Sequence, residues 1–283
     1  MKSKLPVKVS ITSRKIKSAA TVAGWNPADY AANSAVQQSW AWELIARLKL
    51  RGDEHILDVG CGVGKITAEL ASAVPRGLVV GMDASAEMIG FARRKFSAAE
   101  IPNLKFQIAD AREINFKNEF DVVFSNAALH WVDDHEAILR GAASVLKAGG
   151  RLAIYCGGKG NAHDVFLAFR PEMRQKRWRE FFRKMPLPYF FYTPADYEKW
   201  LPQAGFSIQR LQLMPKDATY AGTVGFAAWL RTTWLPFVQR VPEDLREEFI
   251  AAVTQRYVAK HPPDVAGPIR VRMVRLEIDA EKT

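Results

Sequence analysis

The sequence predicts an α/β fold, a doubly wound and mostly parallel sheet with helices on both faces. Three observations lead there. Short apolar runs alternate with stretches of helical periodicity between residues 55 and 155. The connections between them are short and carry Gly or Asp. The loop after the first run, Gly60-Cys61-Gly62-Val63-Gly64, has glycine at every second position. Alternation of this kind builds βαβ units, whose crossovers keep consecutive strands parallel. Ligands of such sheets sit beyond the carboxyl ends of the strands, so the residues that follow each strand are the candidates for a site.

In chain order, Pro27–Leu48 reads as helix, because Trp40, Leu44, Ile45 and Leu48 recur at near-helical spacing. The first strand is His55–Val59. Helical periodicity follows over Lys65–Val74, then a strand over Leu78–Met82. A helix over Ser85–Ala99 has Ser85 as its N-cap. Leu104–Ile108 and Phe120–Ser125 are strands, and Glu136–Leu146 is helix. Lys147–Gly150 turns into a strand over Arg151–Tyr155. After Gly158 aromatic residues and Arg dominate to about Trp200, which reads as an inserted helical cap, joined by the helix around Trp229. Phe206–Leu211 returns to strand, Gly225–Trp234 and Pro242–Ala259 to helix, and Ile269–Ile278 closes the chain as a strand.

A chain of 283 residues suffices for one large domain. With 48% hydrophobic and 25% charged residues it has an ordinary globular composition, and it contains no apolar run that could span a bilayer. Two cysteines, Cys61 and Cys156, give no disulfide framework, which fits a reducing compartment such as the cytoplasm. The formal net charge of +10 favours anionic partners or describes a Lys-rich solvated surface. Lys2, Lys4, Lys8, Arg14, Lys15 and Lys17 precede the first acid, Asp29. Residues 1–23 are therefore expected to be a flexible basic tail or an organelle address, with one domain over 24–283. His55, His130, His135, His163 and His261 lack metal-ligand spacing, so no metal is expected.

A dinucleotide loop would want Gly or Ala where Lys65 stands. The run Asp58-Val59-Gly60-Cys61-Gly62-Val63-Gly64 instead suits a cofactor without pyrophosphate. Asp83 ends the second strand, where an ionised carboxylate can accept from two vicinal ribose hydroxyls; its bland alternative is an N-cap. Asp110, followed by Ala111, can accept from an exocyclic amine, or can satisfy its own turn. Asp58 can meet a ligand ammonium or anchor the loop. After the fourth strand comes Asn126-Ala127-Ala128-Leu129-His130-Trp131. A glycine loop, two acids and a polar turn thus follow four successive strands.

This ordered set resembles the class I S-adenosylmethionine-dependent methyltransferases, with Leu57–Gly64 matching their first motif and Asp83 and Asp110 their acids. The string Asn126–Trp131, the segment Tyr30–Gln37 and the stretch from Val241 to Leu276 resemble the trans-aconitate and juvenile hormone acid methyltransferase group. Val63 stands where relatives usually carry an acid. The resemblance implies seven strands, the last antiparallel, and S-adenosylmethionine held by Asp58, Gly60, Cys61, Gly62, Gly64, Asp83, Ala84, Met88, Asp110, Ala111 and Asn126. It implies a small carboxylic acid as acceptor, with Gln37 and Trp131 on its carboxyl. Tyr30, His130 and Arg275 are further candidates for acceptor contact, His130 also as a base or merely a core residue. The rival readings are methylation of a non-acid small molecule at N or O, methylation of nucleic acid, and a catalytically inactive binding module. Against nucleic acid, basic residues beyond the tail are interspersed with acids, and neither an Asn-Pro-Pro-Tyr-like turn nor a Pro-Cys nucleophile is present.

Overall fold

Apolar side chains alternate across each central strand and so must be covered from both sides. Ile56, Val79, Val122 and Phe124 face one layer; Leu57, Val80, Val123 and Ile154 face the other. A computed structural model describes residues 26–33, 35–116, 119–263 and 267–283, without the side chains of residue 29 and residues 32–37. The expected tail, 1–23, lies outside the described residues.

Among the described residues seven strands form one sheet: β1 (His55–Val59), β2 (Leu78–Asp83), β3 (Leu104–Ile108), β4 (Phe120–Asn126), β5 (Leu146–Gly157), β6 (Phe206–Tyr220) and β7 (Ile269–Lys282). Their order is β3-β2-β1-β4-β5-β7-β6. β7 alone runs against the direction of the other six, pairing antiparallel with β5 and β6. One face is covered by α2 (Ala35–Leu48), α3 (Lys65–Ala73) and α4 (Ala86–Lys95), the other by α5 (His135–Val145) and α7 (Pro194–Gln203). Ser85 caps α4, its Oγ accepting the Met88 N–H at 3.2 Å. The first predicted helix is divided into α1 (Pro27–Asn33) and α2.

The third core is aromatic and stands at the carboxyl edge. It joins α6 (His163–Arg174), α8 (Gly222–Thr233), α9 (Leu235–Val238) and α10 (Arg246–Lys260), with Trp178 and Phe182 from the turns after α6. The stretch read from sequence as one cap, 158–200, is divided between cores. Its α6 belongs to this aromatic cluster, whereas Tyr197 and Leu201 of α7 pack against the sheet. β6 is also longer than its sequence suggests. Six residue pairs, from Pro215↔Val274 to Tyr220↔Ile269, continue past Gly157↔Arg275, where β5 ends. At about 3.3 Å per residue this two-stranded ribbon projects roughly 20 Å beyond the edge and carries Ala218, Val271 and Met273 into the aromatic core.

Candidate active site

The glycine loop turns back on β2: Gly60 and Cys61 both donate to the Met82 carbonyl, at 2.8 and 3.0 Å. Gly60 has φ +79°, and a Cβ there would lie 2.2 Å from the Ala128 Cβ. Glycine is therefore required by the close approach of the turn after β4. Gly62 is different. With φ +53°, its Cβ position meets only the Tyr30 ring, at 4.0 Å, so the loop leaves an open cradle. Gly64 packs under Phe106 and Ala92 and does not border that cradle.

The cleft beside the loop is bordered by Asp58, Gly60, Cys61, Gly62, Val63 and Asn126, with Tyr30 across from them. Asp58 is buried and accepts the Thr67 hydroxyl at 2.8 Å. Burial holds its carboxyl up at about 7, and the nearby Asp83 charge adds to this. Asp83 accepts the Gly62 N–H at 3.0 Å and the Ser85 N–H at 2.9 Å, so the loop and the start of α4 hang on one carboxylate. Burial raises its pKa too. Burial and Asp83 together push the Tyr30 phenol up to about 12. The Cys61 thiol is held well above its ordinary value by burial and by both acids, which keeps it protonated and unreactive.

These residues fit S-adenosylmethionine. Asp58, with one hydroxyl bond and no cation, suits an ammonium. Asp83 has used two of its roughly four acceptor positions, leaving two for vicinal hydroxyls. Gly62 leaves room for a ligand. Ala84 is exposed beside Asp83, and the Met88 side chain is buried below. Asp110 is occupied: it caps the turn over Ala111–Glu113 and pairs with Arg112 at 2.6 Å, which lowers its pKa. The turn reading of Asp110 therefore holds, whatever further contact it makes.

Tyr30 also borders the next cavity, which Ala127 lines and which is walled further by His130, Trp131, Tyr189, Tyr220 and Trp234. Ala127 itself has φ +56°, a conformation rare without glycine, and its N–H donates to the Tyr155 carbonyl at 2.7 Å. The 3-10 turn Leu129–Trp131 then carries His130 and Trp131. His135 fixes this turn from below, its Nε2 on the Leu129 carbonyl at 2.8 Å and its Nδ1 against the Tyr197 hydroxyl. Burial drives the His135 pKa down to about 4, so it is a neutral brace. Its position after the turn gave no sequence signal of that role.

The His130 ring is enclosed by Trp131, Tyr189 and Phe191. Burial, with a smaller effect of His135, lowers its pKa to about 3. Its Nδ1 accepts the Gly157 N–H at 3.2 Å. A neutral ring that accepts at Nδ1 carries its proton on Nε2 and can only donate there.

Of the expected acceptor contacts, one lies outside the described side chains and one is not brought to the cavity. Gln37 lies on α2, but its side chain is outside the described residues. Arg275 is buried at 2% exposure, pairs with Glu277 and with Glu43 at 2.7 Å, and stacks over Tyr155 at 4.1 Å. Two carboxylates balance its charge inside the fold, its Nη1 has no hydrogen-bond partner among the described residues, and the side chain is not among those that line the cavity, where the expectation had placed an anion contact. Among the described residues no group of acids, Cys and His could hold a metal, and no helix is long and apolar enough to cross a membrane.

A methyltransferase domain family matches residues 56–150. An uncharacterised methyltransferase of Schizosaccharomyces pombe is 32% identical over 77% of this chain and 84% of its own. A trans-aconitate 2-methyltransferase of Methylobacterium nodulans is 27% identical over 93% of this chain and all of its own. The fold matches the YcgJ protein of Bacillus subtilis with a TM-score of 0.61 at 18% identity, over 87% of this chain and 98% of that one. With the glycine loop, the acids Asp58 and Asp83 and the sheet order, these likenesses show that the chain belongs to the class I S-adenosylmethionine-dependent methyltransferases.

Proposed function

We propose that the protein moves the methyl group of S-adenosylmethionine to a carboxylate oxygen of a small organic acid. The observation that carries this is the state of His130. It lines the cavity as a neutral ring with its free nitrogen protonated, so it can hold an acceptor oxygen but cannot take a proton from it. A phenol or amine acceptor wants a base in that place, whereas a carboxylate is already ionised at neutral pH. The several trans-aconitate 2-methyltransferases among the relatives favour the same acceptor class.

When bound, S-adenosylmethionine supplies an activated sulfonium methyl open to in-line displacement. The chain's task is then positioning and exclusion of water. We assign Asp58 to the cofactor ammonium, Asp83 to its ribose, and the Gly60–Gly62 backbone to its approach. We assign His130 Nε2–H, Trp131 and Gln37 to the acceptor carboxylate, and Tyr30, which borders both spaces, to the partition between them. Residues 24–283 form the catalytic unit and the basic tail is dispensable for turnover.

The test is a transfer screen with methyl-labelled S-adenosylmethionine across small carboxylic acids, phenols, amines and bulk RNA. Base-labile methyl esters are expected from the acids. Stable label on phenols, amines or RNA, with none on acids, would remove the carboxylate reading.

A further inference from the structure

Two buried polar atoms at the acceptor cavity have no hydrogen-bond partner: Tyr220 Oη and Trp234 Nε1. Native folds seldom leave such groups orphaned without a reason. Neighbouring phenols show the contrast. Tyr189 donates to the Thr233 carbonyl at 3.0 Å, Tyr192 to Asp133 at 2.5 Å and Tyr257 to Arg270 at 2.7 Å. Trp234 is only 3% exposed, so water has little access to its nitrogen.

Both side chains are held rigidly. Tyr220 is the last residue of β6, at the tip of the ribbon, paired with Ile269. Its ring stacks on Trp229 at 4.9 Å, and the Trp234 ring stacks on Phe169 at 4.8 Å. The rings also order the wall. His130 touches Tyr189, Tyr189 touches Trp234, Trp234 touches Trp229 and Trp229 touches Tyr220. Along this chain of ring contacts three rings, Trp234 among them, separate Tyr220 from His130.

We propose that Tyr220 and Trp234 form a second polar subsite in the acceptor cavity, receiving an acceptor oxygen remote from the atom that takes the methyl group. An indole N–H only donates. Burial raises the Tyr220 pKa, so the phenol keeps its proton and can donate as well. Two donors call for an oxygen with free lone pairs, such as a carbonyl or hydroxyl. The rings between the two ends call for a flat apolar body. The acceptor class is therefore an apolar, aromatic or unsaturated acid that carries a distal oxygen. This rests on the carboxyl reading only for the identity of the methylated group.

The experiment measures binding, which needs no transfer. Calorimetry on the full chain saturated with S-adenosylhomocysteine compares arylalkanoic acids of increasing chain length, each with and without a para-acetyl group. Wild type should bind the best acetyl member at least about tenfold more tightly than its oxygen-free partner. Tyr220→Phe and Trp234→Phe should each shrink that ratio at least threefold with S-adenosylhomocysteine affinity unchanged. Melting temperature should hold in Tyr220→Phe and fall in Trp234→Phe, whose smaller ring leaves a gap in the aromatic core. A ratio near one throughout the wild-type series, or a ratio that neither variant alters, overturns the subsite. Oxygen discrimination without any methyl ester formed from these acids would sink the carboxyl reading and leave the subsite standing. Ester formation without discrimination would do the reverse.

Discussion

The two halves of the site are held by different forces. Around the cofactor cleft hydrogen bonds converge on two acids: the Gly62 and Ser85 N–H groups on half-buried Asp83, the Thr67 hydroxyl on buried Asp58. Around the acceptor cavity the walls are rings packed on rings, and its polar atoms are few and partly unpaired. A hydrogen-bonded loop defines one ligand geometry, because each donor direction is specified. An aromatic wall defines shape and can change its ligand by exchanging one ring for another. One half is therefore built to hold a constant cofactor, and the other to be selective about the acceptor.

The largest expected effect falls outside both halves and sharpens the boundary between them. Arg275→Ala leaves a hole beside Tyr155 and removes a buried partner of Glu277. Breaking a buried pair costs about 3–5 kcal/mol, at the lower end here because Arg210 stays on Glu277 at 2.7 Å. Urea denaturation should show that loss, while the acceptor KM of the folded fraction stays within about twofold of wild type; these factors rest on Arg275 being structural alone. A rise in KM with stability intact would return Arg275 to the acceptor site.

Next is Asp83→Ala. It removes two prospective charge-assisted bonds to the cofactor, each worth very roughly 1.5 kcal/mol or more, and frees the loop from α4. The S-adenosylmethionine Kd should rise at least about a hundredfold, as about 3 kcal/mol requires. A Kd within about twofold of wild type would show that Asp83 only ties the loop.

Smaller is Trp131→Ala, which should act on the other half alone. Misplacing the acceptor by about an ångström can cost up to roughly a hundredfold, so turnover should fall about ten- to a hundredfold while cofactor affinity barely moves. Gln37→Ala should share this pattern more weakly. If both affinities fall together with melting temperature, the ring is packing and the two halves are one structural unit.

The difference between the halves is also the difference in what sequence reveals. The cofactor cleft is built from residues at or just past the carboxyl ends of strands, so Asp58, Gly60, Gly62, Asp83 and the turn to Trp131 could be located by local reading. The acceptor cavity also gathers Tyr189, Tyr220 and Trp234 from separate elements, and nothing local marks them apart from core aromatics. Their meeting depends on the ribbon outrunning the sheet, which follows from the β6–β7 register. Ion-pair partners are equally hidden when remote. Arg275 looked available because Glu43 lies 232 residues away in sequence. The Asp110–Arg112 pair, two residues apart, was open to local reading and weakens the amine assignment.

The smallest effect concerns pH and separates the halves without a large structural change. Burial holds the Asp58 carboxyl at about 7, and only the ionised form can bind an ammonium. Cofactor binding should therefore release a proton below pH 7. The Kd should weaken by up to about tenfold for each unit that pH falls from 7 towards 5, and should be flat above about 8. The contribution of Asp58 to the stability of the unliganded protein should run in the opposite sense. A raised folded-state pKa means that this group favours folding when protonated, and that contribution declines as pH rises from its unfolded value, about 4, to about 7. His130 and His135 sit at about 3 and 4 in the fold, so they stay neutral across this window and add no slope to cofactor binding. They titrate near 6.5 when unfolded, so their burial costs stability as pH falls from about 6.5 towards 4, opposite in sign to Asp58. Asp83 is also raised and could contribute, so the control is Asp58→Asn, which keeps an oxygen for the Thr67 hydroxyl but cannot ionise. Calorimetry in buffers of differing ionisation enthalpy gives the number of protons released. A slope that survives Asp58→Asn would move the ammonium contact to another group. At saturating cofactor, turnover on a carboxylic acid should show no basic limb between about pH 6 and 9, because neither half supplies a base that titrates there.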